Sequence, residues 1–530
     1  MGEPLELLSE FVEERLEQWR LPGLAIAIVT RDGLVASAGF GLADVARKEP
    51  VTPETRFAIG SIGKSFTAAV LMRLCEEGRV DLGAPLTAYL PWFEGGPGPA
   101  PITLHQLLTH TAGLVRGSDV TADSRFDVWA LREAPRSEPG RHFHYSNVGF
   151  RALGYVIEEV TGRRYPDVVR AQILEPLAMD GADAAITHET RKRLAVGYEY
   201  WYDDRPPRRD HAHVPAPWLE TDTGDGSIAA SAEELGAFAC MLLNRGEPLL
   251  APASFELMCR AAVEAAEDSW YGYGIGTTLV AGRRLVGHLG GMPGFRSALR
   301  ADLEAGLGTV VLLNGPDEGN LKGEVAAFTL DLYRAAAEGA RLPEPSHPDP
   351  LAVADADEYA GRYSGAEAEL VLEATEGRLV LVRGGERIAL EQRGGDRFLV
   401  PDDDFALFLL AFRRDGDAVV EAWHGPDRYV RAGAAPERLC EPAAEWHAYQ
   451  GHYRAYNPWH SNFRVVGRGD RLDLIYPFGA EEPLASLPDG SFRVGEDAWS
   501  PERIRFDAVV DDRTLRANLS GCDYYRTAAP

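Results

Sequence analysis

From Pro4 to about Arg341 the apolar residues recur in two rhythms. Leu8, Phe11, Val12 and Leu16 follow the three-and-four spacing of a helix face and predict a first helix, whereas Leu24-Ala-Ile-Ala-Ile-Val29 is an unbroken apolar run of strand length. Helical spacing returns at Ser61 to Glu77, with Phe66, Val70, Leu71 and Leu74 on one side, and at Phe150 to Val160. Helices mixed with short β-rich runs predict an α/β (α+β) domain. Leu342-Pro-Glu-Pro-Ser-His-Pro-Asp-Pro350, with four prolines in nine residues, then reads as a linker. Beyond it come short alternating strands punctuated by Gly and Asp, such as Leu370–Leu372, Leu379–Val382 and Phe405–Phe412.

A second break, Ala434 to Pro442, divides this all-β part into related halves. Tyr359-Ala-Gly361-Arg-Tyr363 recurs as Tyr449-Gln-Gly451-His-Tyr453, Arg378-Leu379 as Arg471-Leu472, Arg397-Phe398 as Ser491-Phe492, and Arg428-Tyr429 as Tyr524-Tyr525. A period near 90 residues is too long for a solenoid and predicts two copies of one small antiparallel β-barrel or sandwich. The expected domains are 1–344, 345–436 and 437–530.

Composition narrows the function. A chain of 530 residues, 45% hydrophobic, exceeds what one core serves and can shelter a dry site. The net charge of −27 repels phosphate backbones and anionic headgroups, so neither nucleic acid nor a membrane is an expected partner. The opening residues read as a helix rather than a signal peptide, no apolar run reaches the roughly 18 residues of a membrane span, and a cytoplasmic location is expected. Cys75, Cys240, Cys259, Cys440 and Cys522 are odd in number, scattered and free of CxxC spacing, which suits reduced thiols. Only four lysines occur, a scarcity that fits either a salt-adapted surface or, as the preferred reading, a codon bias.

That scarcity makes Ser61-Ile-Gly-Lys64 informative, because it lies where a helix begins. Spacing of i,i+3 puts the lysine amine one turn above the serine hydroxyl, where a lysine in a dry site can act as base, and the helix N-terminus favours a developing alkoxide. Tyr145-Ser-Asn147 lies just before another helix; a phenol can share a proton with a lysine, and an amide can bind a substrate carbonyl. Leu285 to Phe295 carries His288-Leu-Gly290-Gly291, a strand ending in glycines whose N–H groups could supply half of an oxyanion hole. Alone, each has a plainer reading: a capped helix start, a packing tyrosine, a glycine-rich bend.

Taken in order, SxxK, YxN and HxG resemble the penicillin-binding, serine β-lactamase-like hydrolases, specifically the class C-like branch (peptidase S12) that includes D-aminopeptidases and esterases. Ile102–Leu114, Ile173–Met179, Gly226–Leu235 and Tyr271–Gly276 look like landmarks of the same family, and the resemblance covers about residues 5 to 335. It implies an antiparallel sheet beside a helical subdomain with the site between them. Ser61 would be the nucleophile, Lys64 and Tyr145 the general base pair, Asn147 the holder of the substrate amide, and the N–H groups of Ser61 and Gly291, beside Gly290, the oxyanion hole. His288 stands where penicillin-binding enzymes commonly carry the lysine of KTG, which lowers the expectation of a substrate carboxylate.

Two barrel-like (lipocalin-like) domains after such a domain are similar to the architecture of D-aminopeptidases. There the last barrel sends an acidic loop to the substrate amine, and the matching stretch here is Tyr476–Pro483 with Glu481 and Glu482. The expectation is thus a serine hydrolase acting on a small amide or peptide with an N-terminal D-amino acid. A carboxylesterase is the alternative, a β-lactamase or carboxypeptidase the third reading, and a non-catalytic binding protein the reading from another class. No cofactor or metal is expected: GxSxG, HExxH and P-loop motifs do not occur, His211-Ala-His213 reads as a loop, and His110 as a structural residue. An isologous dimer through a β unit is the expected form of any self-association.

Overall fold

The computed structural model describes residues 2–93, 100–117, 124–132, 134–317, 319–346, 349–435, 439 and 443–528. Cys440, most of the second break and His347-Pro348 of the first lie outside the described residues. Two compact units are present: residues 1–199, 213–345 and 499–501 form one, and 200–212, 346–498 and 502–530 the other.

The first unit is built on a nine-stranded antiparallel sheet. At its centre Gly23–Thr30 pairs with Leu307–Leu313, which pairs with Phe295–Asp302 and then Arg283–Met292. Strand Gly23–Thr30 is buried on both faces, and its alternation sorts the residues between two helical layers. Leu24, Ile26 and Ile28 pack with helices Gly2–Trp19 and Leu321–Glu338. The smaller Ala27 and Val29 face helix Ala232–Leu243, which approaches closely through Gly236.

Helix Gly63–Glu76 departs from its sequence pattern. The spacing predicts one apolar side, yet Lys64, Ser65 and Thr67 are as buried as Phe66, Val70 and Leu71. Phe66 stacks on Phe238, with ring centroids 4.1 Å apart. The polar side is covered too, because its groups find partners: Ser65 Oγ donates to Gly274 O at 2.5 Å and Thr67 Oγ1 to Gly224 O at 2.6 Å. A helix wrapped on all sides is a rigid mount for whatever stands at its start.

In the second unit, strands between Gly361 and Arg431 form a nine-stranded antiparallel sheet that is nearly closed. Its two edge strands, Glu386–Ala389 and Glu391–Gln392, are joined by the single buried Leu390. Strands from Gly451 to Arg526 close a complete eight-stranded barrel. The repeat in sequence is a repeat in structure. Tyr363 Oη donates to Tyr359 O at 2.8 Å and Tyr453 Oη to Tyr449 O at 2.7 Å. The first strand of each meets the last at Tyr363–Arg431 and Tyr453–Arg526. Both interiors are filled by side chains, Tyr363, Phe398 and Phe412 in one and Tyr453, Phe463 and Tyr524 in the other. One stretch differs from its pattern: of Phe405–Phe412 only Leu410 onward is strand, because Asp402 caps a 3₁₀ turn over Asp403–Phe405.

Candidate active site

Ser61 sits in a 3₁₀ turn, Gly60–Ile62, that runs directly into helix Gly63–Glu76. Its N–H lies in the first turn, where no intrahelical acceptor exists. Gly60 makes this start possible: its φ of +54° is left-handed, and a Cβ there would meet Gly291 O at 2.5 Å. The turn is tied to the sheet by Ser297 Oγ, which donates to Ile59 O at 2.8 Å.

One turn on, the fully buried Lys64 Nζ lies 3.0 Å from Ser61 Oγ, 2.8 Å from Asn147 Oδ1 and 2.7 Å from Asp225 O. The last two partners are acceptors only and neutral at the contacting atom. They engage two N–H groups whether Lys64 is ammonium or amine, so the position facing Ser61 can hold either a proton or a lone pair. That is the geometry a proton shuttle to a serine hydroxyl needs.

Asn147 is the first residue of helix Asn147–Thr161, whose N-cap Ser146 accepts from Gly149 N–H at 3.1 Å. His110 Nδ1 accepts the Ser146 N–H at 3.0 Å, so its neutral ring carries the proton on Nε2. Burial, then the charge of Lys64, holds His110 well below the ordinary imidazole range. Tyr145 meets Lys64 through its ring face, with Nζ 5.0 Å from the centroid, and packs 4.2 Å from the His110 ring.

The strand Arg283–Met292 forms the opposite wall. A two-residue turn, Pro293-Gly294, makes Met292–Phe295 a hydrogen-bonded pair. By alternation Gly290 spends its N–H on Ser297, whereas the N–H of Gly291 points away from the neighbouring strand. On that side the next strand reaches only Gly287, leaving the edge open beside Gly60 and Ser61. The two glycines therefore differ: Gly291 offers a free donor, while Gly290 allows close approach, since a Cβ there would meet Ile59 O at 2.0 Å.

His288 is spoken for on both sides. Nδ1–H donates to Leu289 O at 2.5 Å and Nε2 accepts from Tyr271 Oη at 2.8 Å. Burial, followed by the charge of Lys64, lowers its pKa to about 3, so the ring is neutral at working pH and donates nothing to a substrate in this arrangement. Tyr271 in turn is pushed up by its burial. Its partnership with His288 had no signal in sequence beyond its place in a landmark.

Ser61, Lys64, Asn147, Tyr145, His288 and Gly291 thus surround one centre. Glu481 and Glu482 lie in the other unit, and there the structure differs from the acidic loop that the resemblance implies. Tyr476 to Ala480 is a tight turn, and Glu481 opens the strand Glu481–Ser486. Both Glu481 oxygens accept from Arg468, at 2.6 and 2.9 Å, so its charge is already compensated. Trp499, which sequence reasoning did not single out, belongs to the first unit and stacks on His142 with centroids 4.5 Å apart. No group of His, Cys, Asp and Glu able to hold a metal occurs among the described residues, nor any helix long and apolar enough to cross a membrane.

Comparison with known proteins gives the same centre a lineage. Residues 8–333 match the Beta-lactamase family. An unguisins hydrolase of Aspergillus campestris is 29% identical over 360 residues, 62% of this chain and 65% of the relative. A D-aminopeptidase of Brucella ovis is 28% identical over 326 residues, 58% of this chain and 60% of its own length. The chain thus spans less than two thirds of the curated relatives it matches. Among solved structures, the octameric penicillin-binding protein homologue from Pyrococcus abyssi superposes with a TM-score of 0.59 at 25% identity, covering 81% of this chain and all of that one.

Proposed function

The chain belongs to the beta-lactamase family, and on that premise we propose that it is a serine hydrolase working through an acyl-enzyme on Ser61. The observation that carries the reading is Lys64 Nζ, 3.0 Å from Ser61 Oγ and otherwise held by neutral acceptors. Ser61 Oγ attacks the substrate carbonyl as its proton passes to Lys64. The N–H groups of Ser61 and Gly291 receive the oxyanion, each contributing about 3–4 kcal/mol to the transition state. The proton is returned to the leaving group with Tyr145 beside Lys64, and water repeats the sequence to release the acyl group.

For the substrate, we infer a small amide or peptide with an N-terminal D-amino acid, a reading supported by the similarity to a D-aminopeptidase. The neutral, fully engaged His288 argues against recognition of a substrate carboxylate, as a β-lactamase or carboxypeptidase requires. A carboxylesterase is the second reading. It is favoured by one observation, that the Glu481 carboxylate meant to capture an amine is already bound to Arg468. The likeness to an octameric homologue supports self-association.

The test is p-nitroaniline release from D- and L-alanine p-nitroanilides, with p-nitrophenyl butyrate alongside and Ser61→Ala as blank. Ser61-dependent turnover of the D-anilide well above the L-anilide is expected. Turnover of the ester alone replaces the peptidase reading with the esterase one.

A further inference from the structure

Behind Lys64 lies a buried charged cluster that the mechanism above leaves unused. Asp225, whose carbonyl accepts from Lys64 Nζ at 2.7 Å, points its carboxylate the other way. Thr223 Oγ1 donates to one of its oxygens at 2.5 Å and Arg151 Nε to the other at 3.3 Å. Arg151 also binds the buried Asp127 at 2.7 Å, and its side chain is only 11% exposed. Burial works to raise the Asp225 carboxyl, but Arg151, Lys64 and Thr223 together hold it below the usual carboxylate value. The buried Tyr165 also faces it, with its hydroxyl bonded to Thr67 Oγ1 at 2.7 Å.

The connectivity closes on itself. Asn147 and Arg151 are four residues apart, one above the other on one helix face. Asn147 takes the Lys64 amine, Arg151 takes the Asp225 carboxylate, and Asp225 returns to Lys64 through its carbonyl. Glycines flank Asp225 because the chain is pinched there: a Cβ at Gly224 would meet Phe150 O at 2.5 Å, and one at Gly226 would meet Gly60 O at 2.9 Å. Glycines leave a peptide free to rotate; Thr67 Oγ1 holds the preceding carbonyl, Gly224 O, at 2.6 Å, and the carboxylate anchors Asp225 itself, the residue whose carbonyl meets Lys64.

Building on the reading of Ser61 and Lys64 above, we propose that Asp225 and Arg151 are positioning residues for Lys64. Their ion pair orients the Asp225 peptide, and that carbonyl sets where the lysine amine meets the serine hydroxyl. Removing the pair lets the amine drift, and displacement of a reacting group by about 1 Å costs on the order of 10²-fold in rate.

The test needs no knowledge of the substrate. An alkyl fluorophosphonate labels an activated serine: the Ser61 oxygen bonds to phosphorus, fluoride leaves, and the hydroxyl proton passes to Lys64. Second-order labelling rates are measured across pH for the wild type, Ser61→Ala, Asp225→Asn, Arg151→Met, Arg151→Lys and Thr223→Val, with circular dichroism and melting to verify folding. Asp225→Asn and Arg151→Met are expected to slow labelling by about 10²-fold and to change the shape of its pH profile. Arg151→Lys should recover part of the rate, and Thr223→Val, the mildest variant should others unfold, should slow labelling less in the same direction. Labelling of the folded variants at the wild-type rate with an unchanged profile overturns the proposal and leaves the nucleophile reading standing. A wild type that does not label at Ser61 removes both.

Discussion

Two buried cations in this molecule are held by opposite kinds of partner. In the first unit Lys64 is fully buried, and its amine meets a hydroxyl, an amide oxygen and a peptide carbonyl. In the second, the Arg468 side chain is 4% exposed and forks onto both oxygens of Glu481, with Asp473 at 3.3 Å and Gly425 O at 2.8 Å completing its shell. A guanidinium stays charged and matches a carboxylate in a fixed fork, so Arg468 is a structural clamp. An amine among neutral dipoles can change its proton count without leaving a bare carboxylate behind. Neutral first partners mark a group that works; charged first partners mark one that holds.

The largest test of this contrast is Lys64→Met. Loss of the base should lower kcat by about 10²–10⁴-fold in Ser61-dependent hydrolysis while the melting temperature stays near wild type. Next is Arg468→Leu, which leaves the partly exposed Glu481 without its cation and the buried Asp473 with Arg471 alone. It should destabilise the second unit by about 3–5 kcal/mol in urea unfolding, with kcat of the folded fraction unchanged. Glu481→Gln should weaken the same clamp more mildly. It sharpens the contrast further: if Glu481 is structural, KM for an amine-bearing anilide and for a simple ester should move together, whereas a selective rise for the anilide would return Glu481 to substrate binding.

The smallest effect concerns pH. The His288 pKa of about 3 lies below its ordinary 6.5, so between those values the unfolded chain binds a proton that the folded chain refuses. Stability from the neutral ring is complete above pH 6.5 and is lost as pH falls towards 3. His288→Gln should flatten the fall of melting temperature over that window.

What could be read in the sequence follows from distance along the chain. Ser61 and Lys64 are three residues apart, and Asn147 lies two beyond Tyr145, so local spacing alone groups them. The barrels were legible for a similar reason: the Tyr–Gly–Tyr pattern is a strand start that each copy repeats, hydroxyl-to-carbonyl bond included. Asp225 was not legible, because a peptide carbonyl carries no residue-type signal, although Arg151 at four residues from Asn147 could have been suspected. The helix after Ser61 looked one-sided because Ser65 and Thr67 are polar, yet carbonyls from distant segments satisfy them and bury that side too. The Arg468–Glu481 pair was hidden for the converse reason: the two residues lie thirteen apart across two strand pairings, and nothing in an acidic turn announces the partner.

The most direct measurement is intact-protein and peptide mass spectrometry of the enzyme quenched during turnover of p-nitrophenyl butyrate, in the wild type and in Lys64→Met. The account predicts a butyryl adduct on the peptide that carries Ser61 in the wild type, forming at least 10²-fold more slowly in Lys64→Met. Turnover that survives Ser61→Ala, with no adduct on that peptide, would contradict it.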